Sequence, residues 1–331
     1  MLFMDPTFFL WLIPLAIALD MYFGDPPDMP VVHPVRRIGR FLELLEPQAR
    51  TLGDTRAVGA LCALATAGLT GAVVWLLTAV LPGLWAAFSL YFAYAGLAFG
   101  CLLHTGASAL EVLEHGTLPE AQAAVGHMVS RDTTVQDRCT LYKSLAESLS
   151  ENMSDAVAGP LFWLVLTGPV GLWVYKAVST IDSMWGYKTP RWKHLGWAGA
   201  RLDDALAFVP ARLGAFFLYL AARLEGTTSH WPGWATAARE ARQMASPNSG
   251  WPMAVAAWTH HAGMGGPTLY FGEVHHKPFI GPQGIDWDAQ RIRGLIRQIR
   301  LAGLLAAAFF YLTALACYYG ARFFLMGHSS L

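Results

Sequence analysis

Two long apolar runs, Ala57 to Leu81 and Leu84 to Leu103, contain no charged residue and are separated only by Pro82-Gly83. A helix of roughly 20 apolar residues spans the hydrocarbon core of a bilayer, and Pro-Gly is a turn dipeptide, so the pair reads as a helical hairpin crossing a membrane. This limits the rest of the chain, because backbone in lipid must satisfy its own hydrogen bonds, as a helix or a closed barrel. Composition agrees: 54% of the 331 residues are hydrophobic and 14% charged, with a mean hydropathy of +0.37, more apolar than one soluble core requires. A formal net charge of zero leaves no basic face, so nucleic acid is not expected as a partner.

The expected fold is an all-α integral membrane protein, one polytopic domain over residues 1–331: a multi-span helical bundle with broken or re-entrant helices and substantial cytoplasmic loops. Clean spans are expected near 7–23, 57–81, 84–103 and 301–326. Two further apolar segments are compromised. Residues 157–175 are cut by Gly159-Pro160, Gly168-Pro169 and Gly171, and residues 205–224 by Pro210 and Arg212; broken backbone at membrane depth is tolerated where it is buried or lines a cavity. The polar segments 24–56, 104–156, 176–204 and 225–300 carry the recognisable motifs. Their Lys and Arg residues place them together on the cytoplasmic side if 157–175 turns back without crossing. No Lys or Arg precedes the first apolar core, the wrong start for a secretory signal, so it is expected to stay as a membrane segment. Cys62, Cys101 and Cys317 lie in apolar runs without C-x-x-C spacing and read as small buried hydrophobes.

The chemistry concentrates between Glu151 and Arg212. Glu151, Asp155, Asp182, Asp203 and Asp204 alternate there with Lys176, Lys188, Arg201 and Arg212, around a Trp- and Leu-rich run. Such charges beside apolar sequence pair with one another, line a water-filled cavity or hold a ligand. Structural ion pairs at helix ends are the competing reading of any single pair. Upstream, Asp132 or Thr133 is expected to cap an amphipathic helix that delivers Glu151, Asn152 and Asp155 to its end. The chain has no complete P-loop, no H-E-x-x-H and no G-x-S-x-G, which disfavours the sites those motifs build. Hard carboxylate oxygens suit Mg²⁺, which typically binds through one or two carboxylates and substrate phosphate.

Several separate motifs stand out along the chain: Gly24-Asp25-Pro26-Pro27 with His33-Pro34-Val35; Arg131-Asp132-Thr133; Glu147-Ser148 with Glu151-Asn152 and Asp155; Asp182-Ser183-Met184 with Gly186-Tyr187-Lys188; Arg201-Leu202-Asp203-Asp204 with Pro210-Ala211-Arg212; and Ser246-Pro247-Asn248-Ser249-Gly250-Trp251-Pro252. Together, in this order, they resemble the CobD/CbiB family of membrane-bound adenosylcobinamide-phosphate synthases of cobalamin biosynthesis. Where the family pattern has Gly, Thr and Asn, this chain has Ser130, Met153 and Ser179. The resemblance implies ATP-dependent amide synthesis joining adenosylcobyric acid to aminopropanol phosphate at the inner membrane, with the active site facing the cytoplasm. It implies ATP and Mg²⁺ as cofactors, and a second copy of the chain or other membrane enzymes of the pathway as further candidate partners. Within it, Glu151, Asp155, Asp182, Lys188, Asp203 and Asp204 are the catalytic candidates, and Asp182, Asp203 and Asp204 the metal ligands. Asp25, His33, Arg131, Asn152, Arg201, Arg212, Ser246, Asn248 and Ser249 are the substrate-binding candidates. The rival readings are a transporter or channel with a charged broken-helix site, and a non-catalytic membrane relative of the synthases; no internal repeat supports the former.

Overall fold

The computed structural model describes residues 6–24, 33–79, 83–270 and 273–327. Helices dominate it, and the chain divides into two units: residues 1–98, 159–206 and 307–331, and residues 99–158 and 207–306.

The first unit combines apolar helices with charged ones. Helix α1 (Pro6–Phe23) precedes α2 (Pro34–Leu52) and α3 (Arg56–Ala79); α4 (Trp85–Gly96), α8 (Gly159–Trp185) and α9 (Trp197–Leu206) complete it with the end of α13 (Ala289–Gly327). Pro34 starts α2 because a helix's first residue has no use for its N–H, and His33 Nδ1 accepts from Val35 N at 3.3 Å as the cap. Ile38, Leu42 and Ala49 recur at helical spacing and are buried, while Arg36, Arg37 and Arg40 on the opposite face are exposed. Gly59 lets α3 approach the loop after α8 closely, since a Cβ there would sit 2.2 Å from Leu195 O.

The interruption expected from Gly168-Pro169 is present. Gly168 takes φ 72° within α8, a conformation glycine adopts without steric penalty, and Pro169 cannot donate to the helical ladder. By contrast, the run expected as one uninterrupted span over 84–103 breaks at Leu97-Ala98, where Leu97 is extended between α4 and α5 (Phe99–His115). Just before the break, Gly96 packs so tightly on Leu172 that a Cβ would come within 2.5 Å of it.

The second unit contains α5, α6 (Leu118–Gly126) and α7 (Arg138–Asn152), a π-helical turn (Met153–Ala158), α10 (Phe208–Glu225), α11 (Trp234–Ala241), α12 (Gly250–Thr259) and the start of α13. It also holds an antiparallel hairpin of β1 (Met264–Tyr270) and β2 (Glu273–Ile280), with Gly266 opposite Lys277. The capping expectation needs correction. Asp132 turns onto Thr134, accepting from its N at 2.9 Å and its Oγ1 at 2.6 Å. Helix α7 begins later, capped by Asp137 Oδ1 on Thr140 N at 2.8 Å. The intervening residues are held elsewhere: Thr133 Oγ1 donates to Gln122 O at 2.8 Å and Gln122 Nε2 to Gln136 O at 2.9 Å.

Among the described residues, four helical runs are long and apolar enough to cross a membrane: Arg56–Ala79, Trp85–His115, Arg138–Trp185 and Ala289–Gly320. A fifth results if α9 and α10 count as one broken span, and Leu10–Phe23 is a shorter apolar helix. The chain is thus an all-α, multi-span membrane protein in which the apolar runs are partly broken. Cys62 is buried as expected, whereas Cys317 is exposed on α13, on an apolar helix surface that a bilayer would cover.

Candidate functional site

In the first unit, α8 and α9 pack together; α8 carries Asp182, α9 carries Arg201, Asp203 and Asp204, and Lys188 lies in the loop between them. Asp182 lies over the turn that ends α8: its carbonyl accepts from Gly186 N at 2.7 Å, and a Cβ on Gly186 would fall 2.0 Å from its Oδ1. Glycine at 186 therefore makes room for that carboxylate. Lys188 is exposed, and Asp203 and Asp204 are half-buried, with Arg201 Nη1 3.8 Å from Asp204 Oδ2. Among the described residues no group of three or more His, Cys, Asp or Glu side chains is placed to hold a metal ion, so the three aspartates do not form a closed cage. His33 has both ring nitrogens engaged, Nδ1 as the α2 cap and Nε2 3.0 Å from Ala95 O. Asp25 lies outside the described residues.

The loop bearing Lys188 is anchored by residues that no motif identified. Glu46 of α2 binds Arg50 Nε at 2.8 Å and Arg191 Nη2 at 2.9 Å, and both guanidinium groups lie over Trp192, at 5.2 and 4.7 Å. Burial works against ionisation of Glu46, but the two arginines outweigh it and hold its carboxyl below the usual range.

In the second unit, α7 presents Lys143, Glu147, Ser148, Glu151 and Asn152 within three turns. Arg131 Nη2 meets Glu147 Oε2 at 2.5 Å, with side-chain exposures of 6% and 1%. A buried ion pair needs further hydrogen bonds to survive desolvation, and Glu147 Oε1 gains one by accepting from Gly265 N at 2.7 Å. Lys143 Nζ donates to Gly265 O at 3.0 Å, so the base of the hairpin is clamped on α7 through both backbone groups of one residue. Asn152 Nδ2 donates to Ser148 O at 2.9 Å, and Ser148 Oγ to Met128 O at 2.7 Å. Glu151 sits within reach of the charges of Lys277, Glu147 and Arg131. Directly after it, the helix widens into the π-helical turn that holds Asp155, a distortion frequent at functional sites. Helix α10 packs on that turn, Gly214 facing Ser154.

Helix α10 also carries Arg212, which the structure brings to the 246–249 motif. Its Nη1 donates to Phe208 O at 2.6 Å and Asn248 Oδ1 at 3.3 Å, and its Nη2 to Pro247 O at 3.4 Å. Ser246 Oγ accepts from Asn248 N at 3.2 Å. Ser249 stands at the N-terminus of α12 without a side-chain capping bond. Thus Arg131, Glu151, Asn152, Asp155, Arg212, Ser246, Asn248 and Ser249 all belong to this unit, and Glu147, Lys143 and Lys277 join them. Glu147 was visible as part of a motif but not as the partner of Arg131.

The sequence model of the family described as CobD/Cbib protein matches residues 13–301. Curated relatives called cobalamin biosynthesis protein CobD are similar over nearly the whole chain. The one from Pelobacter propionicus is 36% identical, covering 94% of this chain and 95% of its own. That from Klebsiella pneumoniae is 34% identical over 97% and 99%, and that from Geobacter metallireducens 37% identical over 85% and 89%. No solved structure matches. With its motifs gathered on these two helical units and its length matched almost end to end, the chain belongs to the CobD/CbiB family of cobalamin biosynthesis.

Proposed function

We propose that the chain is an acid–amine ligase that joins adenosylcobyric acid, through a propionate carboxyl of its corrin ring, to (R)-1-amino-2-propanol phosphate. The product is adenosylcobinamide phosphate, and the reaction runs at the cytoplasmic face of the inner membrane. The observation that carries this reading is the near-complete family match of a chain whose charged motif residues sit on packed helices, with Glu151 among Arg131, Glu147 and Lys277.

A carboxylate is a poor acyl donor. Its oxygen first attacks the γ-phosphorus of ATP, giving an acyl phosphate and ADP. The amine nitrogen then attacks the carbonyl carbon, and phosphate leaves with the former carboxylate oxygen. Glu151 or Asp155 takes the proton that the attacking nitrogen must lose. Asp182, Asp203 and Asp204 fit Mg²⁺ that arrives on the nucleotide, because such an ion needs only one or two protein carboxylates. When bound, Mg²⁺ neutralises charge on the nucleotide phosphates. Lys188, exposed in the loop after α8, and Arg201 extend toward transferring phosphoryl oxygens. Asn152 supplies an amide for hydrogen bonding, and Asp25 completes the substrate contacts of the first unit, where His33, with both ring nitrogens engaged, positions the start of α2.

Purified protein in lipid nanodiscs, given adenosylcobyric acid, aminopropanol phosphate, Mg²⁺ and ATP, is expected to form the amide, detected by its mass. Well-folded protein that yields no product under these conditions would contradict the ligase reading.

A further inference from the structure

Arg212 and Arg242 come together beside the start of α12. Arg212 is half-buried, held by carbonyl and amide oxygens, with its guanidinium 3.4 Å from the centroid of Phe208 and 5.0 Å from that of Trp251. Arg242 lies near enough for its charge to act on Arg212, and among the described residues no ion pair neutralises either one. Local packing brings them together. Gly250 abuts α11 so closely that a Cβ would lie 2.6 Å from the Ala241 backbone, which sets Arg242, the next residue, against the start of α12. There the uncapped N-terminus of a helix of 10 residues adds backbone N–H groups, and the indole Nε1 of Trp251 is buried without a hydrogen-bond partner. Every one of these groups is a donor or a positive charge.

We propose that Arg212, Arg242, Ser249 and Trp251 bind the phosphate monoester of the amine substrate. This rests on the ligase reading and deepens it. Two guanidinium groups match a dianionic phosphate. Among the described residues neither arginine forms an ion pair with a carboxylate that could share a Mg²⁺, so the pair suits a phosphate that comes without metal rather than the nucleotide's polyphosphate. The other cationic candidates are differently placed: Arg131 is neutralised by Glu147, and Arg201 faces Asp204. Helix α10 runs from Arg212 to its packing on the Asp155 turn. It therefore ties the anchored end of the substrate to the segment that bears a proton acceptor for its amine.

The test uses the full chain in phosphatidylcholine nanodiscs, which present no anionic lipid, and titrates O-phosphoethanolamine, inorganic phosphate and ethanolamine by calorimetry. The two phosphates bind and ethanolamine does not. Arg242→Gln, at an exposed position, weakens phosphate binding by about 10- to 100-fold and raises KM for the phosphorylated amine by a similar factor. It leaves kcat and the KM for ATP unchanged. Arg239→Gln, an exposed charge on the same helix, does neither. The assignment is overturned if Arg242→Gln has no effect, if Arg239→Gln acts equally, or if the KM for ATP moves instead. Amide formation with a KM indifferent to Arg242 would sink this site and spare the ligase reading. Arg242-dependent phosphate binding without any amide product would do the reverse.

Discussion

Arg131 and Arg212 both come from motif segments of the same unit, yet they are solved in opposite ways. Arg131 is enclosed with its own carboxylate, and that carboxylate also fixes the hairpin through Gly265. Arg212 is held only by neutral oxygens and aromatic faces, with a second arginine near it. A buried charge completed by a protein carboxylate holds structure, whereas Arg212, in the phosphate site proposed above, is left for an outside anion. The contrast gives the proposal a way to separate positioning from binding among residues that look alike in the sequence.

The largest expected effect breaks the first member of this pair. Glu147→Gln keeps an acceptor for Gly265 N but strands the Arg131 charge, which is expected to cost about 3–5 kcal/mol of stability. Arg212→Gln loses hydrogen bonds of ordinary strength and is expected to cost about 1 kcal/mol. Thermal unfolding of the two variants measures both; equal losses would erase the distinction.

A smaller effect sharpens it with a group kept neutral. His260 Nε2 lies 2.6 Å from Gln298 Oε1, and burial lowers its pKa from 6.5 to about 4. The Gln298 bond opposes that shift, while the charges of Arg297 and Arg291 add to it. Between these two values the unfolded chain binds a proton that the folded chain does not. Stability from this residue is therefore full above pH 6.5 and falls as the pH drops toward 4, by up to about 3 kcal/mol. His260→Asn is expected to flatten that part of the melting-temperature profile between pH 7 and 4.5, and an unchanged slope would refute the assignment.

How much of this was legible in the sequence follows from the range of the interactions. The membrane class and the break at Gly168-Pro169 were readable because hydropathy, proline and glycine act locally. The motif at 246–249 was readable as chemistry but not as the partner of Arg212, which lies 36 residues from Asn248. Glu147 reaches Gly265 across 118 residues, a pairing that no periodicity encodes. Arg242 carries no motif, and only the approach of Gly250 to Ala241 gives it a role.

In the proposed reaction the carboxylate is activated as an acyl phosphate. Adenosylcobyric acid labelled with ¹⁸O in the reacting carboxylate, incubated with the protein, ATP and aminopropanol phosphate, tests it directly. One labelled oxygen is expected in the inorganic phosphate released with each amide. Amide formed with unlabelled phosphate, or with the label in AMP, would contradict the mechanism.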